Sequence, residues 1–73
     1  MKKYNEIIKE LRNDNDLKQE SVAKKLGITK QQYSLYETGQ RSFKVEHIII
    51  LSVLFNVSAD YILGLPDLPY PKR

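Results

Sequence analysis

The sequence predicts an all-α fold, a compact domain of five helices, and two observations support this prediction. Apolar residues recur at spacings of three and four along most of the chain, which is the period of an amphipathic helix. Glycine, asparagine and hydroxyl residues interrupt this pattern where one helix would end and the next begin. The 73 residues suffice for one domain. We assign that domain to residues 1–65 and treat residues 66–73, which contain three prolines, as a tail.

The first two helices each carry a short apolar stripe. The inner stripe of the first helix consists of Tyr4, Ile7, Ile8 and Leu11. The polar run at residues 13–16 ends this helix. In the second helix, near residues 18–26, Val22 and Leu26 lie four apart and share a face. The small Ala23 beside them allows another helix to cross closely.

A turn separates the second helix from the third, which we expect near residues 30–37. Gly27 follows the last apolar residue of the second helix, where a positive φ ends a helix at little steric cost. Thr29 is placed to cap the third helix, and Gln32 to complete a capping box. Tyr33 then faces the core. The residues left on the solvent side are Lys30, Gln31 and Ser34.

The fourth and fifth helices complete the domain. We expect the fourth helix near residues 45–55, with His47 on its exposed side. Its inner stripe is predicted to consist of Val45, Ile48, Leu51, Ser52 and Phe55. Ser58 is expected to cap a short fifth helix, and Gly64 to end it.

Ten residues in order carry a likeness to a known motif, namely Gln19, Glu20, Ala23, Gly27, Ile28, Thr29, Ser34, Tyr36, Glu37 and Gly39. On these residues the chain resembles the lambda-repressor-like, Xre/Cro-type helix-turn-helix family, and the likeness extends from about Ile7 to Leu65. There are departures. Lys18 stands where the family has a Ser or Thr cap, and Tyr33 where it has Ile or Val. Asn15 replaces a common glycine, a mild change because asparagine tolerates the left-handed conformation.

The resemblance implies a repressor that binds a palindromic operator in double-stranded DNA as a homodimer. The third helix would read bases through Lys30, Gln31 and Ser34, although Lys30 could equally contact a phosphate. Phosphate contacts are expected from Gln19, Arg41 and Lys44. The corresponding family positions also imply an ion pair between Arg12 and Glu37. If the pair is buried it is important for stability, and if it is exposed it contributes little.

The distribution of charge agrees with a nucleic-acid partner. The chain carries a net charge of +3. Residues 1–41 contain nine Lys/Arg and six Asp/Glu, whereas residues 42–73 contain three of each. The positive excess therefore lies in the half that contains the third helix, where it would favour binding to phosphates. The alternative is an ordinary solvated basic surface.

A dimer interface is predicted on the fourth and fifth helices. Apolar residues that the core does not use could form an exposed patch there, made of Ile50, Val53, Val57 and Tyr61. The alternative is that the tail folds back within one chain and covers this patch through Leu65, Leu68 and Tyr70.

Several classes of protein are not favoured. With no cysteine and one histidine, we expect no metal site, no cofactor and no enzymatic activity. Nothing indicates a small-molecule ligand. No apolar stretch approaches the roughly 20 residues that cross a bilayer, and the first residues lack a signal-peptide core. We therefore expect no membrane partner and a cytoplasmic location. Two alternatives are an antitoxin-like or adaptor protein whose main partner is another protein, and the DNA-binding part of a longer repressor.

Overall fold

The computed structural model describes residues 3–64 and contains five α-helices. Their bounds are Tyr4–Asp14 (α1), Gln19–Leu26 (α2), Lys30–Glu37 (α3), Val45–Phe55 (α4) and Ala59–Leu63 (α5). No strand occurs in this part of the chain, so the all-α prediction is confirmed. The predicted tail, including the residues that would fold back over α4 and α5, lies outside the described residues.

Each helix ends where local chemistry allows. Gly27, Asn56 and Gly64 terminate α2, α4 and α5 in the left-handed conformation, with φ of 73°, 54° and 70°. The predicted left-handed residue after α1 was misplaced by one position. Asn15 has φ −96° and its side chain donates to the Leu11 carbonyl at 2.7 Å, while Asp16 takes the positive φ of 55°. Asn15 therefore caps the helix, and its neighbour makes the turn.

The core forms where α1 and α4 meet the α2–α3 pair, and α5 closes one side. Its buried apolar members are Ile8, Val22, Ala23, Leu26, Tyr33, Phe43, Ile48, Leu51, Phe55 and Ile62. Tyr33 is fully buried and packs edge-on against Phe43, with ring centroids 6.0 Å apart. The position of α3 in the domain is therefore set by contacts on its buried side. None of the helices between residues 3 and 64 is long and apolar enough to cross a membrane.

The predicted faces of α4 were partly wrong. Ile48, Leu51 and Phe55 are buried as expected, but Val45 is 74% exposed. In the segment before the helix, Phe43 enters the core two residues ahead of Val45. Val45 is left at the outer edge of the first turn.

His47 is the second correction on α4. It was expected on the exposed side, but it is only 8% exposed. Its ring lies 5.3 Å from that of Tyr36 and 6.2 Å from that of Phe43, and its Nδ1 accepts a hydrogen bond from the Lys44 N–H at 3.3 Å. The imidazole thus packs as an aromatic core residue and also caps α4. Burial lowers the pKa of His47 below its ordinary value, and the nearby Glu46 only partly opposes this shift.

This burial predicts a pH dependence of stability. Below about pH 6.5 the unfolded chain takes up a proton on His47 that the folded chain resists, so the free energy of unfolding should fall as pH decreases from 7.5 to 5.5. The slope cannot exceed about 1.4 kcal/mol per pH unit for this one proton. Urea unfolding at several pH values measures it.

His47→Gln provides the matched control, because a glutamine at this position can still accept the hydrogen bond that caps α4 but does not titrate. In this variant the free energy of unfolding should stay level between pH 5.5 and 7.5. An equal pH dependence in both proteins would show that His47 is not its source.

Candidate nucleic-acid interface

The turn between α2 and α3 has the predicted geometry. After the left-handed Gly27, the N–H of Ile28 returns to the Ala23 carbonyl at 3.0 Å and closes the end of α2. The Thr29 side chain accepts from the Gln32 N–H at 3.1 Å, and the Gln32 side chain accepts from the Thr29 N–H at 3.0 Å. This capping box fixes where α3 begins.

The two sides of α3 differ in chemistry. Tyr33 and Glu37 are buried on its inner side. Lys30 and Gln31 are exposed in its first turn, and Ser34 is half-buried one turn later. The structure therefore leaves a lysine, an amide and a hydroxyl along the outer side of a short helix. Hydrogen-bonding groups of this kind can reach the edges of DNA bases.

A buried ion pair holds the other end of α3. The Glu37 carboxylate accepts two hydrogen bonds from Arg12, from Nε at 2.8 Å and from Nη2 at 2.9 Å. The side chains of Arg12 and Glu37 are 12% and 2% exposed. The Nη1 group of Arg12 also donates to the Leu17 carbonyl at 2.8 Å. One guanidinium therefore links α1, the α1–α2 loop and the end of α3.

Two further contacts converge on Glu37 that the sequence did not indicate. Gln19 donates from Nε2 to Oε1 of Glu37 at 3.0 Å, and Asn5 donates from Nδ2 to the Glu37 backbone carbonyl at 3.1 Å. These polar residues lie 18 and 32 positions away in the chain, so no local pattern pairs them. Gln19 was predicted as a phosphate contact, and it is also tied to the end of α3.

The comparison with known proteins agrees with this geometry. A family model described as helix-turn-helix matches residues 8–62, which is more than half of the chain. The chain belongs to the lambda-repressor-like helix-turn-helix family. This is a family of DNA-binding transcriptional regulators.

Two relatives from Bacillus subtilis (strain 168) are both named as uncharacterised HTH-type transcriptional regulators. YobD is 41% identical over 69 residues, which make up 94% of this chain and 62% of YobD. YqaE is 38% identical over 60 residues, which make up 82% of this chain and 52% of YqaE. The chain thus spans between about half and three fifths of the length of these curated relatives. No solved structure matches the chain at a comparable level of significance.

The first turn of α2 has no side-chain cap in the described part of this helix-turn-helix domain. Lys18 stands at the N-cap, and no side chain accepts a hydrogen bond there. The departure from the family's Ser or Thr therefore leaves this helix end without a side-chain cap. Unpaired N–H groups and the helix dipole favour an anion at such a position, and Gln19 is the first residue of the helix.

Arg41 and Lys44 lie on the segment after α3. Both are exposed. The N–H groups of Gln40 and Arg41 return to the Leu35 carbonyl at 2.9 and 3.1 Å, which folds this segment back against α3. Gly39 has φ 85°, and a Cβ there would lie 3.3 Å from the Asn5 amide, so this close turn favours glycine. Arg41 therefore sits on a constrained turn rather than on a free loop.

The predicted dimer residues do not all have the same exposure. Ile50, Val53 and Tyr61 are exposed, but Val57 is half-buried and packs against the core. The sequence reading missed Ile49, which is exposed and lies four residues before Val53 on α4. A shallow groove of about 370 Å³ is lined by Lys25, Ile49, Ile50, Val53 and Leu54. We refer to Ile49, Ile50, Val53 and Tyr61 as the apolar patch.

The pKa values in the α3 network reflect the ion pair. Burial opposes ionisation of Glu37, but the hydrogen bonds that it accepts, led by those from Arg12, outweigh burial and lower its pKa. Arg12 is correspondingly raised in pKa by its hydrogen bonds to Glu37. Tyr33 lies close by, and burial first and Glu37 second raise its pKa far above the ordinary range. Its hydroxyl makes no hydrogen bond of acceptable geometry within the described residues.

The ion pair predicts strong coupling between its members. Arg12→Ala or Glu37→Ala leaves the partner as an unpaired buried charge, and each should lower the free energy of unfolding by roughly 3–5 kcal/mol. Chemical unfolding of both single variants and of the double variant measures the coupling. The double variant should lose far less than the sum of the two single losses.

Lys9→Ala serves as a control, because Lys9 is exposed on the same helix. Its change should be within about 0.5 kcal/mol and additive with that of Glu37→Ala. Additivity of Arg12→Ala with Glu37→Ala would contradict the assigned energetic role of the pair.

Proposed function

We propose that this chain represses transcription by binding a palindromic operator as a homodimer. The observation that carries the proposal is the two-sided α3, whose outer Lys30 and Gln31 are free while Tyr33 and Glu37 are buried. A recognition helix needs this arrangement, because the side chains that read bases must be exposed and their backbone must be rigid. The relatives named as transcriptional regulators support the same reading. Such a repressor would act in the cytoplasm of a bacterium.

Base readout would come from three side chains of α3. The amide of Gln31 can both donate to and accept from the N6/N7 edge of adenine, while Lys30 can donate to guanine O6/N7 or to a phosphate. The half-buried Ser34 hydroxyl would reach only a base that comes close to the helix. We propose that α3 lies in the major groove with Gln31 as its main discriminating residue.

Phosphate contacts would orient the domain on the duplex. The uncapped start of α2 offers N–H groups together with the Gln19 amide. Arg41 and Lys44 supply positive charge on the segment that follows α3. Contacts with phosphates fix position and orientation without reading sequence. Together the two groups would hold the domain on the phosphate backbone while α3 reads the bases.

The apolar patch would join two copies of the chain. Val53 is 77% exposed, and together with Ile49 and Ile50 it leaves one side of α4 apolar toward solvent. An exposed apolar surface of this kind often marks a protein interface. A two-fold axis at α4 and α5 would present two copies of α3 to successive major grooves, about 34 Å apart.

A second candidate function follows from the apolar patch, because this surface could bind a different protein instead of a second copy of the chain. The chain would then act as an antitoxin-like or adaptor protein, with DNA binding secondary. Selection of bound sites from random DNA separates the two functions. The repressor proposal expects enrichment of a sequence with two symmetric half-sites. Failure to enrich any sequence, from a folded protein, would favour the protein-partner function.

The base-reading role of Gln31 predicts a selective loss of affinity. Gln31→Ala should weaken binding to the selected operator by roughly 1–3 kcal/mol and leave binding to random duplex nearly unchanged. Titration of labelled duplexes at one fixed salt concentration measures both affinities. The control is Asn13→Ala, an exposed substitution on α1 that should change neither. Unchanged operator affinity of Gln31→Ala would refute the assignment of this residue.

The dimer proposal predicts dissociation when charge enters the apolar patch. The double variant Ile50→Glu/Val53→Glu should sediment as a monomer while keeping its helical circular dichroism, because two carboxylates cannot be buried against their symmetric copies. Asn13→Glu adds a carboxylate to exposed α1 and should leave the dimer intact. A folded double variant that dimerises with unchanged affinity would exclude this interface.

A further inference from the structure

Glu37 connects the two helices that the proposed function assigns to DNA. It is the last residue of α3, and its Oε1 accepts the hydrogen bond from the side chain of Gln19, the first residue of α2. The same carboxylate is held by Arg12 through two hydrogen bonds. The buried Glu37 carboxylate therefore connects α3, the helix proposed to read bases, with Gln19, the side chain proposed to contact a phosphate.

The Gln19 amide retains a hydrogen for a further partner. A carboxamide nitrogen carries two N–H donors, and Glu37 takes one of them at 3.0 Å. Between residues 3 and 64 no acceptor is seen for the second N–H, and Gln19 is half-buried rather than enclosed. A side chain that is already held in one orientation loses less conformational entropy when it binds a phosphate than a side chain that rotates freely.

The charge of Glu37 does not oppose an anion at this place. A lone carboxylate near a phosphate would repel it, but Arg12 neutralises Glu37 through a bidentate contact. The Glu37 side chain is also nearly inaccessible to water, so solvent does not compete for the bond to Gln19. Arg12 also donates a hydrogen bond to the Leu17 carbonyl, two residues before Gln19. This bond restrains the backbone where α2 begins.

We infer that Glu37 is a positioning residue for DNA binding, which orients the Gln19 amide toward a backbone phosphate in register with α3. The inference rests on the phosphate contact that the proposed function gives to Gln19. Glu37 itself touches no DNA in this account. Its effect on affinity passes through Gln19, in addition to its contribution to the stability of the fold.

A double-mutant cycle on DNA affinity tests this role. Binding to random-sequence duplex is measured for the native chain, Gln19→Ala, Glu37→Met and the double variant, at a temperature where circular dichroism shows each to be folded. Gln19→Ala should weaken binding roughly five- to tenfold. Glu37→Met, which has no oxygen to accept from Gln19, should weaken it roughly threefold or more in the native chain, but less than twofold when Gln19 is already alanine.

Asn5→Ala is the matched control. Asn5 tethers the same end of α3 through the Glu37 backbone carbonyl but does not touch Gln19. Any loss of affinity that it causes should be the same with Gln19 and with alanine at that position. This comparison separates a shift of α3 as a whole from an effect that passes through the Gln19 amide.

The outcomes distinguish the inference from the proposed function. If Gln19→Ala binds random duplex as tightly as the native chain, the phosphate contact is wrong and Glu37 has nothing to position. If Gln19→Ala weakens binding but Glu37→Met causes the same loss in both backgrounds, the contact stands and only the positioning role is overturned.

A second variant covers the case in which Glu37→Met does not fold. Arg12→Met/Glu37→Met replaces the whole ion pair with apolar side chains of similar length, a change that buried pairs often tolerate. It removes the acceptor for Gln19 without stranding a charge. Its loss of DNA affinity should again be at least threefold with Gln19 present and less than twofold with Gln19→Ala, and equal losses would overturn the inference.

Discussion

The orientation of α3 depends on one buried carboxylate, that of Glu37. A helix of eight residues is not stable alone in water, so its position must be set by contacts at its ends and on its inner side. Thr29 and Gln32 fix the first turn, Tyr33 fixes the middle, and Glu37 fixes the last turn through Arg12. Removing a carboxylate from water is unfavourable, and here the bidentate guanidinium and the Gln19 amide offset that cost.

Because the inner side of α3 supplies its stability, the outer side is free to be polar. The side chains of Lys30 and Gln31 make none of the described hydrogen bonds that support the helix, and the capping amide comes from Gln32 instead. Substitution of the outer residues should therefore alter recognition more than folding. If α3 reads bases as proposed, the same scaffold could carry different base-reading side chains.

Local chemistry made most of the fold predictable, and tertiary packing accounts for the errors. The bounds of α3 and α4, the Gly27 turn and the Thr29 capping box follow from residues within a few positions of one another. The faces of α4 did not, because its Ile-rich run is apolar nearly all round. Its inner face is selected by Phe43 and Tyr36, which pack on His47 from outside the helix. Likewise, the hydrogen bond from Gln19 to Glu37 joins a predicted phosphate contact to a member of the predicted ion pair, two residues that the sequence gives no reason to connect.

The apolar patch and most of the proposed DNA surface lie in halves of the chain with different charge, Lys44 being the exception. Residues 1–41, which include α2 and α3, hold the whole net charge of +3, whereas residues 42–73 are balanced at three charges of each sign. The patch belongs to α4 and α5, in the balanced half, with Lys25 as a cation at its margin. Two copies that met through this half would avoid strong mutual repulsion, while their basic halves would still attract phosphates. Separation of charge along the chain thus makes self-association and DNA binding compatible in one small domain.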